Sequence, residues 1–336
     1  MSAEDDLADA IVKHALELQR LSAYEEQQAI TILRDLEAEL RTLLNSRALS
    51  TASRRDINVL IKAAHEAITG KYVNIAGILD VEALTEHVAA RTVEAMNTAF
   101  PNLAFGPPSM ETLRSLAKNV LIDGAPSAAW WAKQSADTAF RFANTVRAGV
   151  INGHTNEQIV RRVTEDMDLS RRGARALVHS SVMSAANQAR LETFRKASNY
   201  ADGVRWLATL DSHVCKTCAA LDGSEWDFDG QPLNGTKLDF QAPPKHFACR
   251  CVISLVPSTK ALDEVFPGMG DKIRALRDRA TSDGPQKLTM TQWLKRNPVA
   301  AEEVLGKKRV EMFQAGSLTL TDLVTKSGRP LTLAEL

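Results

Sequence analysis

Five residues whose side chains bind soft or borderline metal ions stand close together here: Cys215, Cys218, His246, Cys249 and Cys251, and they include all four cysteines of the chain. Their spacing is C-x2-C followed by H-x2-C-x-C. A tight turn lets the first pair chelate one ion, and a tetrahedral structural zinc needs four ligands, so the set holds one to spare. Cys249 and Cys251 fall in a run, CRCVISLV, that reads as a strand, which would put both on one face and Arg250 on the other. His246 with Cys249 instead copies the usual H-x2-C spacing, so which four would bind stays open. His213 is a sixth candidate that spacing assigns to a loop, and Lys216 and Lys245 are near enough in sequence to lower thiol pKa values. Oxidation is the competing chemistry, with Cys215 or Cys218 bridged to Cys249 or Cys251. In a reducing compartment clustered cysteines more often hold metal than pair, and a structural zinc knuckle is the expectation.

Little else in the sequence carries chemistry. There is no P-loop, no G-x-S-x-G, no H-E-x-x-H and no dinucleotide fingerprint after a strand. The carboxylates nearest the cluster in sequence are Asp211, Asp222 and Glu225, and the Leu221-Asp222-Gly223 triplet reads as a turn. No catalytic residue and no organic cofactor are expected, so the protein is read as a non-enzyme. A metal-dependent nuclease on the knuckle would need an open zinc position and a nearby base, and ranks last. At 336 residues, 44% apolar and 24% charged, the chain has the composition of an ordinary globular protein of two or so domains. Lys plus Arg equals Asp plus Glu at 41 each, so no bulk charge drives it onto nucleic acid or an anionic membrane. No apolar run approaches the ~20 residues of a membrane span, and the first residues are acidic where a secretory leader is basic, so cytoplasmic synthesis without membrane association is expected.

The elements that must position the cluster are mostly helical. Glu4 to Leu44 lacks proline and glycine and carries Leu33, Leu36, Leu40, Leu43 and Leu44 at helical steps, which predicts one long helix, broken at most once. Ser53 or Asp56 caps a second helix through Ile68 that Gly70 ends, and Ala83 to Phe100 forms a third. Pro101 to Pro108 marks a boundary. Ser109 opens a further helix, and Pro126 to Val150 forms another, with Trp130, Trp131, Phe140 and Phe142 assigned to core packing. After Gly153, Thr155 and Gln158 make a capping box for a short helix with Ile159 and Val163 inward. A separate helix follows from about Ser170 to Ala197. Arg161, Arg162, Arg171, Arg172 and Arg175 place five arginines in fifteen residues, which can meet phosphate but reads first as a solvated face. From Tyr200 onward the pattern turns to strands, GVRWLATL and CRCVISLV, whose pairing would bring Cys215 and Cys218 beside the later cysteines. In the tail, Trp293 and Leu294 read as a helix seated on a small core, Gly306 and Gly316 as helix stops, and the run from Thr319 as a capped last helix.

Trp206, Asp211, Cys215, Cys218, Leu221, Asp222 and Gly223, followed by Pro244, His246, Cys249, Arg250 and Cys251, together form a pattern that resembles the signature of phage head-morphogenesis proteins, minor head proteins similar to protein F of phage Mu. The stretch from Thr145 to Val163 is similar to that family as well. The tail resembles a C-terminal module often found in these proteins, at Trp293, Leu294, Leu305, Gly306, Arg309, Gly316, Leu318, Leu331, Thr332 and Leu336. The chain departs at His179, Ser180 and Ser181, where such proteins commonly carry Arg-Thr-Glu. The resemblance runs from about Ser109 to the C-terminus.

Together with the helical patterns read above, it gives the expectation of a mainly α protein with long N-terminal helices, a helical middle domain, a small β-rich Cys/His knuckle and a short helical C-terminal module. The expected domains are an N-terminal helical region 1–105, set off by the Pro101 to Pro108 boundary and outside the resemblance, a head-morphogenesis domain 106–258 that includes the knuckle 203–257, and a C-terminal helical module 259–336. The implied role is that of a minor capsid protein at the portal vertex or head interior, acting in procapsid assembly, DNA packaging or delivery, in the host cytoplasm during assembly and then in the virion. Portal, major capsid or scaffold proteins are the implied partners, with genomic DNA and a second copy of the chain left open. A DNA-binding zinc knuckle is the alternative reading.

Overall fold

Leucines and isoleucine at helical steps hold Ala3–Asn45 in one unbroken helix, α1, with Leu7, Ile11, Leu18, Leu33, Leu36, Leu40 and Leu44 buried. The computed structural model describes residues 3–258, 260–261, 264, 279–281, 284–286 and 288–336. The fold is mainly α, as the sequence implied. Helix α2 (Arg54–Ala76) begins at a capping box of Ser53 and Asp56, but it runs through Gly70 and is capped at Gly77. Tyr72 and Ile75, beyond that glycine, are buried, and their packing outweighs the ~1 kcal/mol that an internal glycine costs. Helix α3 spans Val81–Ala99, and Pro101 to Pro108 is non-helical. Ser109 caps α4 (Met110–Lys118) by accepting from the amide of Thr112. A small hairpin, β1 (Leu121–Ile122) with β2 (Ala125–Pro126), leads into α5 (Ser127–Ile151).

The aromatic residues of α5 divide. Trp131 and Phe142 are buried, whereas Phe140 is 68% exposed and Trp130 lies at an edge with its indole N–H on the carbonyl of Ile122. The two helices expected after Gly153 are one, α6 (Asn156–Arg195). Val163, Met167, Ser170, Ala174 and Leu177 are buried at three- and four-residue steps straight across the expected break, so the packed stripe has no reason to stop there. The turn before α6 is as read: Thr155 and Gln158 form the capping box and Gly153 takes φ +70°. A Cβ on Gly149 would fall 2.5 Å from Ile159, so the close approach of α5 and α6 requires glycine there.

The chain divides into two compact units. One, from residues 20–81 and 119–182, is all helix apart from the β1–β2 hairpin; within it α1 and α6 run antiparallel, with contacts from Arg41 to Thr164, Glu37 to Arg171 and Ser22 to His179. The other takes residues 1–19, 82–118 and 183–336 and contains the β structure around the cysteines. There β3 (Ala201–Leu207) pairs antiparallel with β6 (Val252–Pro257) on one side and with β4 (Glu225–Trp226) on the other, and β4 carries β5 (Pro232–Leu233). Helix α7 (Lys216–Leu221) lies between β3 and β4 in sequence. A Cβ on Gly203 would meet the carbonyl oxygen of Trp226 at 1.9 Å, so this strand contact also depends on glycine.

The tail forms α8 (Met290–Arg296), α9 (Pro298–Leu305) and α10 (Lys307–Gln314), ending in a single 3-10 turn, Leu320–Leu323, boxed by Thr319 and Asp322. Gly306 (φ +82°) and Gly316 (φ +78°) terminate helices as read. Much of 259–287, the start of the expected C-terminal module, lies outside the described residues.

One buried polar site in the β-containing unit has a thermodynamic consequence. His14 of α1 is 4% exposed, and neither ring nitrogen has a hydrogen-bond partner. Burial, then the charges of Arg190, His87 and Arg91, push its pKa from 6.5 to about 3. Arg190 is fully buried, donates to the Asn187 side chain, and stays charged although burial lowers it to about 10. Because the folded value of His14 lies below the unfolded one, its neutral form favours folding fully above pH 6.5, and that advantage is lost as pH falls from 6.5 towards 3. Wild type is expected to lose about 2 kcal/mol between pH 7 and pH 5 relative to His14→Leu in denaturant titrations; equal losses would remove His14 as the cause.

Candidate metal centre

Strand pairing delivers the cysteines. The last rung of the β3–β6 ladder joins Leu207 to Val252, so the loop leaving β3 and the loop entering β6 emerge from the same end of the pair. The first loop ends at Cys215, which is the N-cap of α7: its Sγ accepts from the amide of Cys218 at 3.3 Å. Cys215 and Cys218 thus stand at the start of a helix, and its first turn is the tight turn that the C-x2-C spacing called for. Cys249 and Cys251 differ from expectation. They precede β6, which starts at Val252, so strand alternation does not place them. Ala248, with φ +59°, turns the chain just before them, and both are buried, at 1% and 2% exposed. The Pro243–Pro244 bond ahead of His246 is cis.

All five side chains converge. His246 Nε2 lies 3.2 Å from Cys215 Sγ and 3.2 Å from Cys218 Sγ, and Cys218 Sγ lies 3.7 Å from Cys249 Sγ. Two three-ligand groups result, Cys215–Cys218–His246 and Cys218–Cys249–Cys251, which share Cys218. They surround a void of about 20 Å³, room for one ion and not for an organic cofactor. His213 lines the void but belongs to neither group. A zinc–sulfur bond of about 2.3 Å implies a tetrahedral edge of roughly 3.8 Å between thiolates, and the 3.7 Å sulfur pair fits it. The same distance is that of non-bonded sulfurs, and all four thiols are free. His246 Nδ1 sits 2.8 Å from the carbonyl oxygen of Phe247; with Nδ1–H donating there, Nε2 is the atom turned to the thiols, and a metal would take it in place of its proton.

The cluster polarises itself. The hydrogen bond with Cys218, then that with His246, brings Cys215 down to about 4 against the opposing effect of burial. Cys249 is also lowered, first by Cys218, whereas Cys218 is raised by its three thiol neighbours and by burial. His246 rises to about 9, chiefly through Cys215. These shifts come from within the cluster and not from Lys216 or Lys245. Lys245 instead points its ammonium towards the carbonyl of Ser327 at 3.5 Å.

Polar ties hold both loops. Arg250 forms a two-pronged ion pair with Asp211, Thr209 donates to the Arg250 carbonyl at 3.1 Å, and Asn187 of α6 donates to the Cys251 carbonyl at 3.2 Å. Asp222 accepts from the amide of Ala208 with one oxygen and from the amide of Met290 with the other. Glu225 pairs with Arg205 across the β3–β4 rung, both almost fully buried. The knuckle also shares one hydrophobic core with the tail: Trp206, Leu210, Cys218 and Trp226 pack in the same cluster as Leu294, Leu305, Phe313 and Leu323. Thr217 adds a hydrogen bond to the carbonyl of Gly328.

Residues 141–254 match the family model described as Phage Mu protein F like protein. That stretch runs from the second half of α5 through α6 and all five metal-capable residues into β6, and it bears out the resemblance read from the cysteine pattern. No curated protein and no solved structure matches the chain. At the departure from the family triplet, His179 lies 3.2 Å from Ser22 and 3.8 Å from Glu26, while Ser180 and Ser181 donate back to helix carbonyls. Sequence reading gave no role to Asn187 or Arg190. The signal was there: two polar residues occupying positions of α6 whose neighbours at helical spacing, Met183, Ala186 and Phe194, are all core residues.

The double acceptor role of Asp222 ties the tail to the knuckle. Asp222→Ala strands two backbone amides and is expected to cost about 2 kcal/mol or more. Hydrogen exchange should show residues 290–305 losing protection together with 204–226; a tail that keeps its protection would show that the two fold independently.

Proposed function

We propose that this protein is a minor head component of a tailed phage, acting in head morphogenesis at the portal vertex or head interior, with a structural zinc closing its knuckle. The observation that carries the reading is the coincidence of the matched stretch, 141–254, with the segment that builds and braces the thiol–imidazole cluster. In the zinc-bound form Cys215, Cys218, His246 and Cys249 take the four positions. His246 lies 3.2 Å from both Cys215 and Cys218, and Cys218 lies 3.7 Å from Cys249; Cys251, grouped with Cys218 and Cys249, is the ligand to spare on this reading. Zinc supplies cross-linking of two loops in such a site; the chain's own residues orient the ligands and exclude water.

A structural role is supported over a hydrolytic one by what the neighbouring carboxylates do. Asp211 is engaged by Arg250, both oxygens of Asp222 accept backbone amides, and Glu225 is held by Arg205. Each is committed to holding the fold, which leaves none placed as a general base for a metal-bound water. Partners on this reading are portal, capsid or scaffold proteins, and the protein is non-enzymatic.

Two experiments test the two halves separately. Reduced, purified protein is expected to hold one equivalent of zinc by elemental analysis, lost in Cys218→Ser and retained in Cys251→Ser; metal-free protein with titratable thiols would end the zinc reading. Co-expression with the portal, scaffold and major capsid proteins of the same genome is expected to place the chain in sedimenting procapsids. A chain that stays at the top of the gradient while procapsids form would overturn the assembly role.

A further inference from the structure

In the all-helical unit, the antiparallel seam of α1 and α6 opens into a cleft of about 520 Å³, whose floor is Ile30 and whose walls are charged. Four arginines line it, Arg34 from α1 and Arg171, Arg172 and Arg175 from α6, against two acids, Glu37 and Asp168. Both acids are already occupied. Arg171, 15% exposed, spans them, bonding Glu37 at 2.6 Å and Asp168 at 2.5 Å, and Arg41 holds the second oxygen of Glu37. Arg34, Arg172 and Arg175 are exposed and have no ion pair among the described residues. In a chain with no net charge, this leaves three arginines lining one groove without an ion pair of their own.

We propose that this cleft binds the phosphodiester backbone of duplex DNA without regard to sequence. The lining chooses between occupants. An acidic protein segment would need an apolar anchor at the centre of its interface, and the cleft offers only Ile30, which is buried. A single strand would need aromatic faces for its bases, and no aromatic residue lines the groove. What remains is fixed positive charge in a wet, polar groove, which suits phosphate oxygens: guanidinium forks take them bidentately, and the interaction gains from release of condensed counterions. Arg171, clamped by two carboxylates, positions the wall and is not one of the proposed contacts.

The arginines offered as contacts lack ion-pair partners and are exposed, so replacing them leaves the helix packing intact, which far-ultraviolet circular dichroism of each variant verifies. Binding of a random-sequence duplex by the full chain is read by fluorescence anisotropy across a salt series. Arg172→Ala with Arg175→Ala is expected to weaken binding at low salt by at least roughly tenfold and to flatten the log–log salt slope by about 2, one unit per lost phosphate contact. Arg34→Ala should flatten it by about 1. The control Arg54→Ala with Arg55→Ala removes equal charge from exposed positions at the start of α2, and should leave the slope unchanged. The proposal is overturned if wild type does not bind duplex at low salt, if the control weakens binding as much as the cleft variant, or if an acidic polypeptide binds the cleft while the duplex does not. This outcome is independent of zinc content and of procapsid association, so either can fail without the other.

Discussion

The antiparallel register of β3 and β6 governs the geometry around the cysteines. Two loops that carry four of the five metal-capable side chains, Cys215, His246, Cys249 and Cys251, each begin or end at its last rung, and a 3.7 Å sulfur contact tolerates no slip. A shift of one residue would move one loop by about 3.3 Å and turn every side chain of β6 to the other face. The register is therefore held from several directions: the Trp206–Ile253 rung buries apolar mass, Arg205 and Glu225 pair inside the sheet, and Gly203 lets β4 close on β3. A buried pair such as Arg205–Glu225 adds little net stability, but separating it costs about 3–5 kcal/mol, so it penalises wrong registers more than it rewards the right one.

Around the thiols the protein holds backbone more than side chains. Thr209 and Asn187 donate to the carbonyls of Arg250 and Cys251, the Phe247 carbonyl holds His246 Nδ1, and Asp211 fixes the arginine that lies between two cysteines in sequence. This arrangement keeps ligand atoms free for one another while the chain that bears them is immobilised. It also explains the polarised protonation of the cluster: thiols and an imidazole confined around a void of about 20 Å³ must share protons among themselves.

Much of this was legible in the residues. Proline-free leucine periodicity found α1, the Ser53 and Thr155 caps found two helix starts, and the Cys/His spacing found the five residues that meet. The misreadings share one cause, that local signals yield to packing. Gly70 failed to stop α2 and Ser170 failed to start a new helix because buried faces continued past both. The C-x-C pair looked like strand because β6 follows it at once, yet Ala248 bends the chain so that both cysteines turn inward from a loop. Asn187 and the two-way bonding of Asp222 depend on residues far apart in sequence, which no local pattern encodes.

The division of the chain also sets an order in time. The residues of the all-helical unit all lie before position 183, so they are synthesised before the knuckle. The other unit draws on residues 1–19, 82–118 and everything from 183 onward, and the apolar side of its thiol cluster is finished only by Leu294, Phe313 and Leu323. Newly made chains must therefore carry four reduced thiols on an incomplete core until the tail emerges. The interval between making Cys215 and making Leu323 is the period in which wrong sulfur pairing or premature metal capture would compete with folding.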